Sequence, residues 1–261
     1  MLLAFVDASW DKNRQVVSVA GFLGVSSAWC AFQEHWQGVR NRWGLKFLRM
    51  TEFMSSHGEP YATWSAAQRN ALVSELTDLI NKHLLCGTVV SLNLTDYYAL
   101  SDEDRAVSGN NPFGLCAAQC LGLVASTFEQ FDIEESVLYV FEAGDRGEPA
   151  FRDAVRRLIR SSEPDRALLH VIDIRTETKS LAPAFDAADF LAWLHTQHAL
   201  RFHGQAVDRT PYLEQVTVDI INHHMYGAGL LEWVHDNKPD RDEVAKRLGR
   251  LGSVTWRPWR R

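Results

Sequence analysis

The sequence predicts an α/β protein whose mixed β-sheet is flanked by helices. Two observations carry this expectation. The chain opens with two apolar strands joined by a polar turn, a hairpin signal. From there, short apolar runs rich in β-branched and aromatic residues alternate with longer segments of helical hydrophobic period, the pattern of a layered sheet with parallel additions.

The elements follow in order. Residues 2–7 and 16–25 read as strands around the turn Asp11-Lys12-Asn13-Arg14. Ala28 to Trp43 reads as a helix, with Trp29, Phe32, Trp36, Val39 and Trp43 at helical spacing. Leu45 to Met50 is expected as a further strand. Ser65 should cap an amphipathic helix, because Gln68 stands at the capping-box position and Leu72, Leu76, Leu79 and Ile80 share one face. Leu84 to Leu94 is expected as a strand, followed by a polar loop over Ser101 to Asn111. Pro112 opens a helix through Phe131, Val137 to Phe141 forms a short apolar strand, and Pro149 opens a helix through Ile159, proline being suited to a first helical turn. Leu168 to Ile174 is expected as a strand. Pro183 to Phe202, Pro211 to Met225 and Pro239 to Leu251 are expected as helices. The reading is one domain over residues 1–261 with a C-terminal helical extension from about residue 205.

Length and composition suit an enzyme with a sizeable core, since 46% of the 261 residues are hydrophobic. No run approaches the roughly 18 apolar residues of a membrane span, and the N-terminal stretch reads as a first strand rather than a signal peptide. Cys30, Cys86, Cys116 and Cys120 form no CxxC pair and lack histidines at zinc-site spacing, so a reduced, cytoplasmic protein is expected. The formal charge of −6 argues against a nonspecific nucleic-acid coat.

Acidic residues stand where apolar elements normally exclude them. Leu2-Leu3-Ala4-Phe5-Val6 runs into Asp7, Val137-Leu138-Tyr139-Val140-Phe141 runs into Glu142, and the apolar helix around Phe185 carries Asp186 and Asp189. A buried carboxylate must be paired or bound to a metal, so acids converging from separate core elements point to a divalent cation. Mg²⁺ and Mn²⁺ prefer such hard oxygen ligands and, as a pair, can drive phosphodiester hydrolysis. Asp7 and Glu142 are the expected rigid ligands and Asp189 the third. Asp186 is either a contact to a second ion or a solvated neighbour, and Glu52 either a distal ligand or a cap. Lys179 is expected to orient a water or touch phosphate. Asp145 reads as a turn residue. His195, His198 and His203 fall off the acidic face of their helix or far along it, and read as packing or surface residues.

This succession of strands and helices matches a ribonuclease H-like architecture, in which the first strand sits centrally and its acid meets acids from a later strand and a late helix. Four segments resemble the family known as domain of unknown function 3800. They are Phe5-Val6-Asp7-Ala8-Ser9, then Leu48-Arg49-Met50-Thr51-Glu52-Phe53 with Tyr61-Ala62-Thr63-Trp64, then Tyr139 to Asp145, and finally Lys179 with Pro183 to Trp193. Two positions depart from the family: Arg49 where it usually has histidine, and Asp186 where it usually has glutamine. The resemblance implies a ribonuclease H-like fold and metal-dependent nuclease chemistry, with Mg²⁺ or Mn²⁺ as cofactor. A nucleic-acid partner is further suggested by Arg152, Arg156, Arg157 and Arg160 and by the basic, tryptophan-bearing C-terminus. The alternative expectation is a nonenzymatic adaptor or regulator that keeps the fold and uses the acids structurally.

Overall fold

The computed structural model of the chain describes residues 1–11, 13, 15–55, 59–107, 110–130, 133–144, 148, 149, 152, 169–202 and 220–226. Six strands form one sheet among them: β1 (Leu2–Trp10), β2 (Val16–Val25), β3 (Cys86–Asn93), β4 (Val137–Glu142), β5 (Val171–Glu177) and β6 (Ile220–Tyr226). Their order is β5-β4-β1-β2-β3-β6. The hairpin β1–β2 and the pair β2–β3 are antiparallel, whereas β1–β4, β4–β5 and β3–β6 are parallel.

Central β1 is buried on both faces, as the continuous apolar run Leu2 to Val6 requires. Leu2, Ala4 and Val6 enter one core, with Phe113, Cys116, Cys120 and Phe128 of α6 (Pro112–Gln130). Phe5 enters the other, beneath α1 (Ser26–Trp43), α3 (Ala66–His83) and α7 (Phe185–Phe202), with Trp29, Trp36, Leu76, Phe185 and Leu191. Short helices α2 (Met50–Ser55), α4 (Leu94–Ala99) and α5 (Asp102–Val107) complete the described elements, with one 3-10 turn at Tyr61–Thr63. None of the described helices is long and apolar enough to cross a membrane. Burial pushes the Cys86 and Cys120 thiols up to about 12, which keeps both protonated as core residues.

Local chemistry explains most boundaries. The Asp11 carboxylate accepts the amides of Asn13 at 2.8 Å and Val16 at 2.7 Å and so folds the hairpin turn. Ser65 Oγ accepts the Gln68 amide at 3.2 Å while Gln68 Oε1 accepts the Ser65 amide at 2.9 Å, a complete capping box at the start of α3. At the end of α1, Gly44 takes φ +68°, the left-handed conformation that stops a helix and that side chains disfavour.

Four sequence expectations are corrected. Leu45 to Met50 is no strand: the Leu45 amide is taken by Arg40 O at 2.8 Å, the Leu48 amide by Asp186 Oδ2 at 3.0 Å and the Met50 amide by Asp189 Oδ2 at 3.1 Å, so these three are not offered to a ladder, and Met50 begins α2. The polar segment after Ser101 contains α5 rather than only loop. The helix expected to end at Met225 is instead strand β6 over Ile220–Tyr226, so the C-terminal region is not wholly helical; β-branched Ile220 and Ile221 suit a strand, and the edge of β3 supplies the partner. The first strand does not end at Asp7 but continues to Trp10. The expected helix over Pro239 to Leu251, most of that over Pro149 to Ile159, and residues 211–219 lie outside the described residues.

A buried ion pair fixes α7 against α1. Asp186 Oδ2 accepts from Trp36 Nε1 at 2.8 Å, Arg40 Nε at 2.8 Å and the Leu48 amide at 3.0 Å, and Arg40 and Asp186 are both fully buried. Burial pushes the Asp186 carboxyl upward, while Arg40, Lys179 and the Trp36 hydrogen bond pull it back. Removing one partner of such a pair leaves an uncompensated buried charge and costs about 3–5 kcal/mol. Arg40→Met should therefore lower the melting temperature by roughly 6–20 °C for a chain of this size. Combining it with Asp186→Leu should recover much of the loss, since an apolar pair removes the orphaned charge. Thermal unfolding checks this, and a single variant within about 1 kcal/mol of the native chain contradicts it.

Candidate functional site

Pairing register brings the first two acids side by side. The parallel ladder between β1 and β4 pairs Leu2 with Val137 and ends with Val6 opposite Phe141, so the next residues on the two strands are Asp7 and Glu142. Side chains alternate faces along a strand. Asp7 therefore follows Phe5, and Glu142 follows Leu138 and Val140, onto the face covered by α7. Beyond Glu142 the chain turns at Gly144, whose φ of +102° needs a residue without Cβ.

The third acid comes from α7, and one ammonium joins all three. Lys179 Nζ lies 2.7 Å from Asp189 Oδ2, 3.3 Å from Asp7 Oδ2 and 3.8 Å from Glu142 Oε2. Its side chain is 6% exposed, those of Asp7, Asp189 and Glu142 3%, 13% and 17%. Lys179 sits in the tight turn between β5 and α7, where the Leu181 and Ala182 amides both donate to Thr178 O, at 2.9 and 3.1 Å. Asp7 Oδ1 accepts the Ala8 amide at 2.7 Å, and Asp189 Oδ2 also accepts the Met50 amide at 3.1 Å, which ties the start of α2 to the site.

Burial alone would lower the Lys179 ammonium, but Asp189, Asp7, Asp186 and Glu142, in decreasing order, outweigh it and hold the group above the ordinary lysine range. Three carboxylates thus face one ammonium among the contacts described. The donors suit a divalent cation chemically, being hard anionic oxygens. Their present spacing answers an ammonium instead, since Mg²⁺ takes oxygens at about 2.0–2.1 Å. Accordingly, among the described residues no group of three His, Cys, Asp or Glu side chains is arranged to hold a metal as it stands.

The remaining expected residues divide. Asp186 is neither solvated nor facing the three acids: α7 turns 100° per residue, so Asp186 and Asp189 are about 60° apart, one directed to α1 and the other to the strand ends. Its Oδ2 accepts from Trp36, Arg40 and the Leu48 amide, whereas its buried Oδ1 has no hydrogen-bond partner among the described residues. Glu52 is exposed in the first turn of α2. Its charge nevertheless reaches Tyr61, whose hydroxyl is pushed up to about 12 by burial and by Asp186, Glu52 and Asp189. Asp145 lies outside the described residues.

His195 is buried away from the acids in a chain of hydrogen bonds, Nδ1 to Ser91 Oγ at 2.6 Å and Ser91 Oγ to Ser18 Oγ at 2.5 Å. Arg152, expected on a basic stripe, is instead held 3.1 Å from Glu148 and 3.3 Å from Thr176. Arg156, Arg157, Arg160 and the basic C-terminus lie outside the described residues. Sequence reasoning missed the central position of Lys179 and the role of Arg40. The signal for Arg40 was present: it occupies the fourth position after Trp36, on the inward face of α1.

A Lys179 pKa above its unfolded value contributes stability that is complete below about pH 10.4 and fades only as pH rises through the folded value. The cluster should therefore hold together across neutral pH. Removing one of three crowded carboxylates relieves repulsion. Asp7→Asn should thus keep the melting temperature of the metal-free protein at pH 7 or raise it, and a loss beyond about 1 kcal/mol would assign Asp7 a structural duty instead.

Compared with sequence models of known protein families and with curated proteins, the chain matches none.

Proposed function

We propose that the chain is a divalent-metal-dependent phosphodiesterase acting on nucleic acid, a nuclease on a ribonuclease H-like sheet. The observation that carries this reading is the shared cation position of Asp7, Glu142 and Asp189, three carboxylates from two neighbouring strands and one helix within 3.8 Å of a single ammonium. Carboxylates gathered from separate core elements cost desolvation and mutual repulsion, which a fold needing only a capped strand would avoid. Support also comes from the sheet order, in which an antiparallel β1–β2–β3 meander continues through β1 into parallel β4 and β5. Three of the four segments resembling the domain of unknown function 3800 family contain Asp7, Glu142, and Lys179 with Asp189, and so coincide with the cluster.

Asp7, Glu142 and Asp189 would hold Mg²⁺ or Mn²⁺. Bound there, the ion supplies charge for activating a water and for stabilising the leaving oxygen of a phosphodiester. Asp7 and Glu142 provide the fixed wall, because hydrogen-bonded strands limit their motion. Asp189 is set by α7, which the Asp186 pair locks against α1. Displaced from among the acids by the ion, Lys179 would offer a positive point charge to a phosphate oxygen. Glu52 and Tyr61 border the site from the segment before α3.

One observation favours a second reading. Lys179 already neutralises part of the cluster without any ion, as a nonenzymatic adaptor that had exchanged metal for ammonium would require. Activity decides between them. With Mg²⁺ or Mn²⁺ the purified chain should cut at least one member of a panel of DNA, RNA and hybrid substrates. Asp189→Asn should lose more than the roughly 10–100-fold that loss of an outer hydrogen-bond partner costs, because an amide lacks the anionic oxygen. A panel left uncut with every metal would favour the adaptor, and full cleavage by Asp189→Asn would locate the chemistry elsewhere.

A further inference from the structure

We propose that Lys179 is an internal competitor for the cation, so that the site exchanges between a closed form holding the ammonium and an open form holding a divalent ion. The inference rests on the metal-dependent reading above and assigns its regulation to the turn over residues 178–184.

Ammonium and divalent ion would compete for the same space and the same charge. The ammonium lies 2.7, 3.3 and 3.8 Å from oxygens of Asp189, Asp7 and Glu142, so it occupies the point that a common ligand of the three acids would occupy. A divalent ion drawing those oxygens to about 2 Å would meet the ammonium inside contact distance, with like charge. Both cations cannot be bound at once. Lysine is suited to leave, being a point charge on a flexible four-carbon stem. Solvent is close at hand: Ser180 and Leu181, which follow buried Lys179 in the turn between β5 and α7, are exposed, Leu181 by 73%. The anchors of α7 lie beyond Lys179: Asp186 is fixed to Arg40, Trp36 and Leu48, and Ala182 and Ala184 are buried in the core, so the Lys179 side chain can swing out while α7 and Asp189 stay in place.

Two consequences distinguish a competitor from a passive neighbour. Metal binding in the native chain is weakened by the fraction of molecules in which the ammonium is out. Metal binding also drives Lys179 from a buried position into solvent, where it becomes reactive toward amine reagents.

The test pairs two measurements on the full chain. Mn²⁺ affinity is measured by electron paramagnetic resonance titration for the native protein and for Lys179→Met. Acetylation of Lys179 in the native protein is followed by peptide mass spectrometry with and without Mn²⁺. If the ammonium-out form is populated below about one tenth, Lys179→Met should bind Mn²⁺ at least about tenfold more tightly, and Mn²⁺ should accelerate acetylation of native Lys179 by a similar factor. The second measurement needs no variant and stands even if Lys179→Met folds poorly without metal. Equal or weaker Mn²⁺ affinity in the variant, or bound Mn²⁺ with Lys179 still protected, overturns the competition while leaving the metal site standing. Absence of Mn²⁺ binding at millimolar concentration to either protein overturns the metal reading itself.

Discussion

Repulsion among carboxylates at the end of a parallel strand pair is the constraint on which the rest of this structure depends. Register sets Asp7 beside Glu142, and α7 adds Asp189 above them. Such a group cannot remain in a largely buried location without a cation. The fold supplies one from the turn that follows β5. That turn must place Lys179 over the strand ends and deliver the chain into α7 within a few residues, so the site and the connection are one piece of structure.

Two acids one helical turn apart then perform opposite work. Asp186 faces inward to Arg40 and Trp36 and fastens α7 to α1 and to the segment before α2. Asp189 faces the strand ends and accepts the Met50 amide together with the Lys179 ammonium. A buried ion pair is weak evidence of stability, since a well-packed apolar pair can do as well. Its value here lies in position: it sets where α7 stands, and thereby where Asp189 stands.

Legibility in the sequence followed the range of the interactions. Elements decided by local chemistry were readable: the Asp11 turn, the Ser65–Gln68 capping box and the apolar strands β1 and β4 follow from residues close in the chain. The acids of the site were readable for a related reason, since Asp7, Glu142 and Asp189 interrupt apolar patterns that exclude charge. Elements decided at long range were not. Leu45 to Met50 has an apolar look, yet its amides go to Arg40 and Asp186, and no local pattern announces a partner some 140 residues away. Strand β6 needed the edge of β3, which a helical reading of Pro211 to Met225 ignored. Asp186 was misjudged for the same reason: spacing placed it on a face with Asp189, whereas its true partner, Arg40, was concealed in a helix read only for its tryptophans.

The central claim is that Asp7, Glu142 and Asp189 share one divalent cation. It is tested most directly by anomalous diffraction from crystals of the chain equilibrated with Mn²⁺. The account predicts one anomalous peak bound by an oxygen from each of the three carboxylates at about 2.0–2.3 Å, with the Lys179 ammonium displaced from the centre. No peak at this position under saturating Mn²⁺, with the ammonium still among the three acids, would contradict it.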